Sequence, residues 1–100
     1  MPQATLTSTG ADQFAVSGEL SFATVTALLE QSRSLFAAAA TLDIDLSGVN
    51  HADSAGLSLL LEWLRYGKRA SKAVRYRGLP TQLHALATIS EVDSLFGDIA

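Results

Sequence analysis

An α/β fold is predicted: a single mixed sheet of about four strands with helices packed on one face. Three features of the 100-residue sequence predict it. Every candidate strand alternates apolar and polar residues, whereas a sheet covered on both faces would read apolar throughout. Two long segments carry apolar residues at helical spacing. The elements follow one another in the order β-β-α-β-α-β-α, which suits one layer of helices on one layer of sheet.

The first segment reads as a hairpin. Ala4, Leu6 and Ser8 alternate with Thr5, Thr7 and Thr9. Thr9-Gly10-Ala11-Asp12 supplies turn chemistry, and Phe14, Val16, Gly18 and Leu20 alternate with Ala15, Ser17 and Glu19. Ser21 is placed to cap a helix from about Phe22 to Ala39. Its buried face is expected at Val25, Leu28, Leu29, Ser32, Leu35 and Phe36. Thr41 to Ser47 is the clearest strand, with Leu42, Ile44 and Leu46 on one face and Asp43, Asp45 and Ser47 on the other. A loop over 48–53 then leads into a second helix from about Ser54 to Ser71. Val74-Arg75-Tyr76-Arg77 forms the next strand. One crossover is expected, through the helix at 54–71, and it makes the strands on either side of that helix parallel. Pro80 opens a short helix that buries Leu83, Leu86, Ala87 and Ser90, and a last amphipathic turn holds Val92, Leu95 and Phe96.

The whole chain, residues 1–100, is read as one domain. With 48% hydrophobic and 17% charged residues it has the composition of a folded protein, not a disordered one. It has no cysteine, which excludes disulfide scaffolds, thiolate zinc sites and cysteine nucleophiles. The net charge of -3 gives no global attraction for nucleic acid. The amino terminus lacks the basic and apolar regions of a signal peptide, and no apolar run approaches the length of a membrane span. These features point to a soluble intracellular domain.

Catalytic and cofactor chemistry find no support. His51, Asp53 and Ser54 stand too close in sequence to line up as a triad, and no Gly-x-Ser-x-Gly elbow accompanies them. His51 and His84 lack metal-ligand spacing, and no nucleotide-binding loop is present. The expectation is a non-enzyme with no cofactor and no metal.

The most specific stretch runs from Asp45 to Leu57, from a strand end into a helix N-terminus. That junction exposes free N–H groups and the positive end of the helix dipole. Asp53 or Ser54 caps the helix, and Gly56 lets another backbone or a partner come close. A phosphate on Ser54 would lie where the field favours an anion.

Asp45-Leu-Ser, then Asp53-Ser-Ala-Gly-Leu, then Leu59-Leu-Leu, on this order of elements, resembles a STAS domain over essentially the whole chain. The stretch from Ser54 through Trp63 to Arg69 is more similar to the STAS subunit of the Mla phospholipid-transport ABC system than to the anti-sigma factor antagonists, many of which carry glycine in place of Ser58. The resemblance implies a non-catalytic cytoplasmic subunit, peripheral to the inner membrane, that binds and supports the transporter's ATPase subunit in maintaining outer-membrane lipid asymmetry. The alternative it implies is an anti-sigma factor antagonist, bound by a kinase-type anti-sigma factor that phosphorylates Ser54. On either reading the partner surface is expected at Asp53, Ser54 and Ala55 and along the outer side of the following helix.

The helix pattern itself points to that outer side. Leu57, Leu60, Leu61 and Leu64 form the face expected to meet the sheet. Ala55, Leu59, Tyr66 and, more obliquely, Trp63 lie near the opposite side, where a one-layer fold is wet. Exposed Trp and Tyr are typical interface anchors. Six of the seven basic residues lie between Arg65 and Arg77. They suit a solvated helix end, or contact with an acidic partner or acidic lipid headgroups.

Overall fold

A computed structural model describes residues 3–89. The elements are β1 (Ala4–Ser8), β2 (Gln13–Leu20), α1 (Val25–Ala37), β3 (Leu42–Ala52), α2 (Ser54–Ala70), β4 (Val74–Arg77) and α3 (Thr81–Ile89). Ser90 and the turn at Val92, Leu95 and Phe96 lie outside the described residues.

The four strands form one mixed sheet in the order β1-β2-β3-β4. β1 is antiparallel to β2, and both β2–β3 and β3–β4 are parallel. Two helical crossovers are therefore present, where the sequence pattern suggested one. A helix of 13 residues returns the chain to the end of the sheet where β2 began, so β3 runs alongside it in the same direction.

The alternation sorts the sheet faces. Phe14, Ile44 and Tyr76 are register partners on the covered face, where all three are buried. Thr5, Ser17, Arg75 and Arg77 stand exposed on the other. There Thr5 and Ser17 share a 2.6 Å hydrogen bond, and Arg77 pairs with Asp43 at 2.8 Å. That carboxylate raises the already high Arg77 pKa. The Ser47 amide, 2.9 Å from Asp45 Oδ1, holds the Asp45 carboxyl below its ordinary value.

The stretch 48–53 is not a loop. Strand β3 continues to Ala52 because β2 is long enough to pair with it as far as Leu20. Two register irregularities, at Ala15/Ser17 and Gly18/Glu19, accommodate the extra residues. Burial along β3 accordingly shifts from every second residue, Leu42, Ile44 and Leu46, to every third, Val49 and Ala52.

Helix α1 starts later than the sequence pattern suggests, because residues 21–24 form a turn. Thr24 is the N-cap position and Ser21 lies outside the helix; Thr24 Oγ1 makes no capping bond but ties the turn, donating to the Glu19 carbonyl at 2.6 Å and accepting the Ser21 N–H at 3.0 Å. Its buried residues are Leu28, Ser32 and Phe36. At the other end Lys72 Nζ donates to the carbonyls of Phe36 and Ala37 at 2.6 and 3.1 Å. Lys72 thus serves the end of α1, whereas Lys68 and Arg69 occupy the last turn of α2.

Phe36 joins the layers. Its ring meets Phe14 of the sheet at 4.9 Å and Trp63 of α2 at 5.3 Å, both edge-on. Gly67 allows the chain to turn back under α2, since a Cβ there would overlap Val74 and meet the Lys72 carbonyl at 2.7 Å.

Candidate functional site

Parallel crossovers place the starts of α1 and α2 at the same end of the sheet. Asp53 joins them. Its Oδ1 accepts from the backbone N–H of Ala55 at 2.8 Å and of Gly56 at 3.3 Å, capping α2. Its Oδ2 accepts the Phe22 N–H at 3.4 Å, from the turn before α1. The Asp53 N–H bonds the Leu20 carbonyl, and the Ala52 N–H bonds Gln82 Oε1 of α3. The end of β3 is thereby fixed on both sides.

Ser54 follows at the first position of α2, exposed, with no side-chain hydrogen bond among the described residues. Its hydroxyl stands free at a helix start whose Ala55 and Gly56 amides are already capped by the Asp53 carboxylate. Chemically this place can take a hydrogen bond from a partner or carry an anion. Ala55 beside it is half-buried. Gly56 is claimed from within: a Cβ there would meet the Leu20 carbonyl at 2.7 Å, so its close approach serves β2.

Phe22 completes the edge. It is 87% exposed, and its backbone is held by the Asp53 carboxylate. Behind it a cleft of about 400 Å³ opens between the helices, with Phe22, Val25 and Leu29 on one wall and Ala55, Leu59 and Glu62 on the other. The sequence reading omits Phe22 from the site. The available signal was its position three residues before Val25, in the first turn predicted, on a chain with only four Phe residues.

Leu59 and Trp63 are corrected. Both were expected on the wet side of α2, and both are buried, at 4% and 1% exposure. The buried stripe of α2 is Gly56, Leu57, Leu59, Leu60, Trp63 and Gly67, while Leu61 and Leu64 are only partly covered. The cause is α1, which packs against the flank of α2 and widens the covered arc beyond the face toward the sheet. Trp63 Nε1 donates to Ser32 Oγ at 3.0 Å, and this buried donor is thereby satisfied. Tyr66 is half-buried at the far end, with Lys72 Nζ 5.6 Å above its ring. Of the expected partner surface, Asp53, Ser54 and Ala55 stand together at one end, Leu59 floors the adjoining cleft, and Trp63 and Tyr66 belong to the α1–α2 seam.

Among the described residues no cluster of His, Cys, Asp and Glu is placed to hold a metal, and no helix is long and apolar enough to cross a membrane.

Comparison with known proteins places this geometry in a family. The family model described as Mlab, STAS domain, matches residues 4–97. The intermembrane phospholipid transport system binding protein MlaB of Haemophilus influenzae is 39% identical over 77 residues, covering 72% of each chain. Among solved structures, the anti-sigma factor antagonist SpoIIAA in its unphosphorylated form superposes with a TM-score of 0.70 at 17% identity, over 92% of this chain and 84% of that one. The murine Solute Carrier 26 family member A9 anion transporter superposes with a TM-score of 0.66 at 13% identity, over 89% of this chain but 18% of the transporter. The two structural likenesses bear on the fold; the sequence matches carry the assignment, and by them this chain belongs to the MlaB-type STAS domain family.

Proposed function

We propose that this chain is the non-catalytic STAS subunit of an Mla-like phospholipid ABC transporter, held at the cytoplasmic side of the inner membrane by binding the transporter's ATPase subunit. On this reading it supports that subunit in maintaining outer-membrane lipid asymmetry. The relative from Haemophilus influenzae supports the system, since its name is that of a phospholipid-transport binding protein. The observation that carries the docking site is the free Ser54 hydroxyl at the capped start of α2, beside the exposed Phe22 ring. An edge at the starts of two helices, with one apolar anchor and one free hydroxyl, suits a protein partner.

The test is a binding titration of the full chain against the ATPase subunit. Ser54→Ala is expected to weaken binding by about 1 kcal/mol, the ordinary worth of one neutral hydrogen bond. Ser54→Asp should weaken it far more, because a carboxylate must be desolvated in the interface. A second reading, a phosphoswitch acting on an anti-sigma factor, rests on the same exposed hydroxyl. Stoichiometric phosphoserine at Ser54 in the native protein, with Ser54→Ala still binding a kinase-type anti-sigma factor at full strength, would establish that reading in place of the first.

A further inference from the structure

The cleft behind Phe22 does not end at Leu59. A second hollow of about 300 Å³ continues it between the same two helices, bounded by Ser32, Arg33, Tyr66 and Arg69. Leu29 and Glu62 line both hollows, so they form one trough along the α1–α2 seam. α1 has 13 residues, which makes the trough roughly 20 Å long. Its floor is apolar, from Leu59 at one end to Phe36 and Trp63 at the other. Its charge is lopsided: Arg33, Arg65 and Arg69 line it against Glu62 alone. Glu62 is already paired with Arg65 at 3.3 Å. Arg69 has no ion pair among the described residues, and Arg33 holds only a loose exposed pair with Glu30 at 3.7 Å. Two arginines, one on each helix, thus line the end of the trough away from Phe22.

We propose that this trough receives an amphipathic helix of the ATPase subunit, its apolar stripe on the Leu29–Leu59 floor and its acidic side chains between Arg33 and Arg69. A groove roughly 20 Å long between two helices matches the length of a third helix of three to four turns, and an amphipathic helix is a common occupant of such an apolar groove. Guanidinium groups on opposite rims clamp a carboxylate from two sides. The same cations could meet anionic lipid, but they flank a concave seam that the flat surface of a bilayer cannot enter. The trough opens onto the Ser54–Phe22 edge, so one partner can cover both. The proposal therefore rests on the reading that the ATPase subunit is the partner of this chain.

The experiment titrates the full chain against the ATPase subunit from the same organism at several salt concentrations. It compares the wild type, Ser54→Asp, and the double variant Arg33→Glu with Arg69→Glu. Both arginines are exposed, and circular dichroism confirms that the double variant is folded. The double variant is expected to bind about tenfold more weakly and to lose most of the salt dependence of the wild type. Unchanged affinity and unchanged salt dependence in the double variant, with Ser54→Asp abolishing binding, overturn the trough and leave the docking edge standing. Full binding by Ser54→Asp with weakened binding by the double variant keeps the trough and removes the edge. Wild-type binding to vesicles of phosphatidylethanolamine and phosphatidylglycerol that the double variant loses, with ATPase binding intact, assigns the cations to lipid and overturns the proposal. A wild type that does not bind the ATPase subunit overturns both.

Discussion

The indole N–H of Trp63 donates to the Ser32 hydroxyl at 3.0 Å, buried between α1 and α2. The same hydroxyl donates to the Leu29 carbonyl at 2.7 Å, so one serine satisfies a donor from the neighbouring helix and an acceptor from its own. The contact fixes the seam below the trough, because Trp63 has its ring edge-on against Phe36 at 5.3 Å.

Ser32→Ala is expected to leave the indole N–H buried without a partner, at a cost of about 1–3 kcal/mol. Denaturant unfolding measures it. Trp63 is the chain's single tryptophan, so its fluorescence follows the seam directly. A loss within about 0.5 kcal/mol, as for a surface change, would show that the indole finds another acceptor.

Leu59→Asp is expected to destabilise the isolated chain by about 3 kcal/mol or more, since it buries an unpaired carboxylate between two helices. Ser58→Asp, one residue earlier on the exposed face, should stay within about 0.5 kcal/mol. Thermal unfolding of the pair checks the rotation of α2. Equal midpoints would place Leu59 on the outer side, as the helical pattern alone suggests. If Leu59→Asp also loses a partner, the loss must therefore be attributed to unfolding before it is attributed to an interface.

Tyr76 gives a pH dependence. Its hydroxyl donates to the Leu60 carbonyl at 2.7 Å, and burial pushes its pKa well above the ordinary 10.0. Above about pH 10 the unfolded chain releases this proton and the folded chain keeps it, so stability falls as pH rises. The contribution is fully present below that pH. Tyr76→Phe should lose about 1 kcal/mol at neutral pH, from the missing hydrogen bond, and show a shallower alkaline decline. Urea unfolding at neutral pH and above pH 10 compares the two slopes. An identical decline in both proteins would exclude Tyr76 as its source.

The alternation of Leu42, Ile44 and Leu46 with Asp43, Asp45 and Ser47 determined, from sequence alone, a sheet with one covered face. The 3.6-residue spacing of Leu28, Ser32 and Phe36 determined the buried side of α1. Asp53-Ser54 before an apolar run determined the start of α2, because capping depends on residues within one turn of each other. These features are local, and a single chain segment expresses them. Tertiary packing decided the rest. Which flank of α2 is wet depends on where α1 lies, so Leu59 and Trp63 read as surface in the sequence and are core in the fold. The length of β3 depends on how far β2 remains alongside it through two register irregularities, which no periodicity in 48–52 announces. The meeting of Phe22 with Asp53 spans 31 residues and exists because two parallel crossovers return the chain to the same end of the sheet.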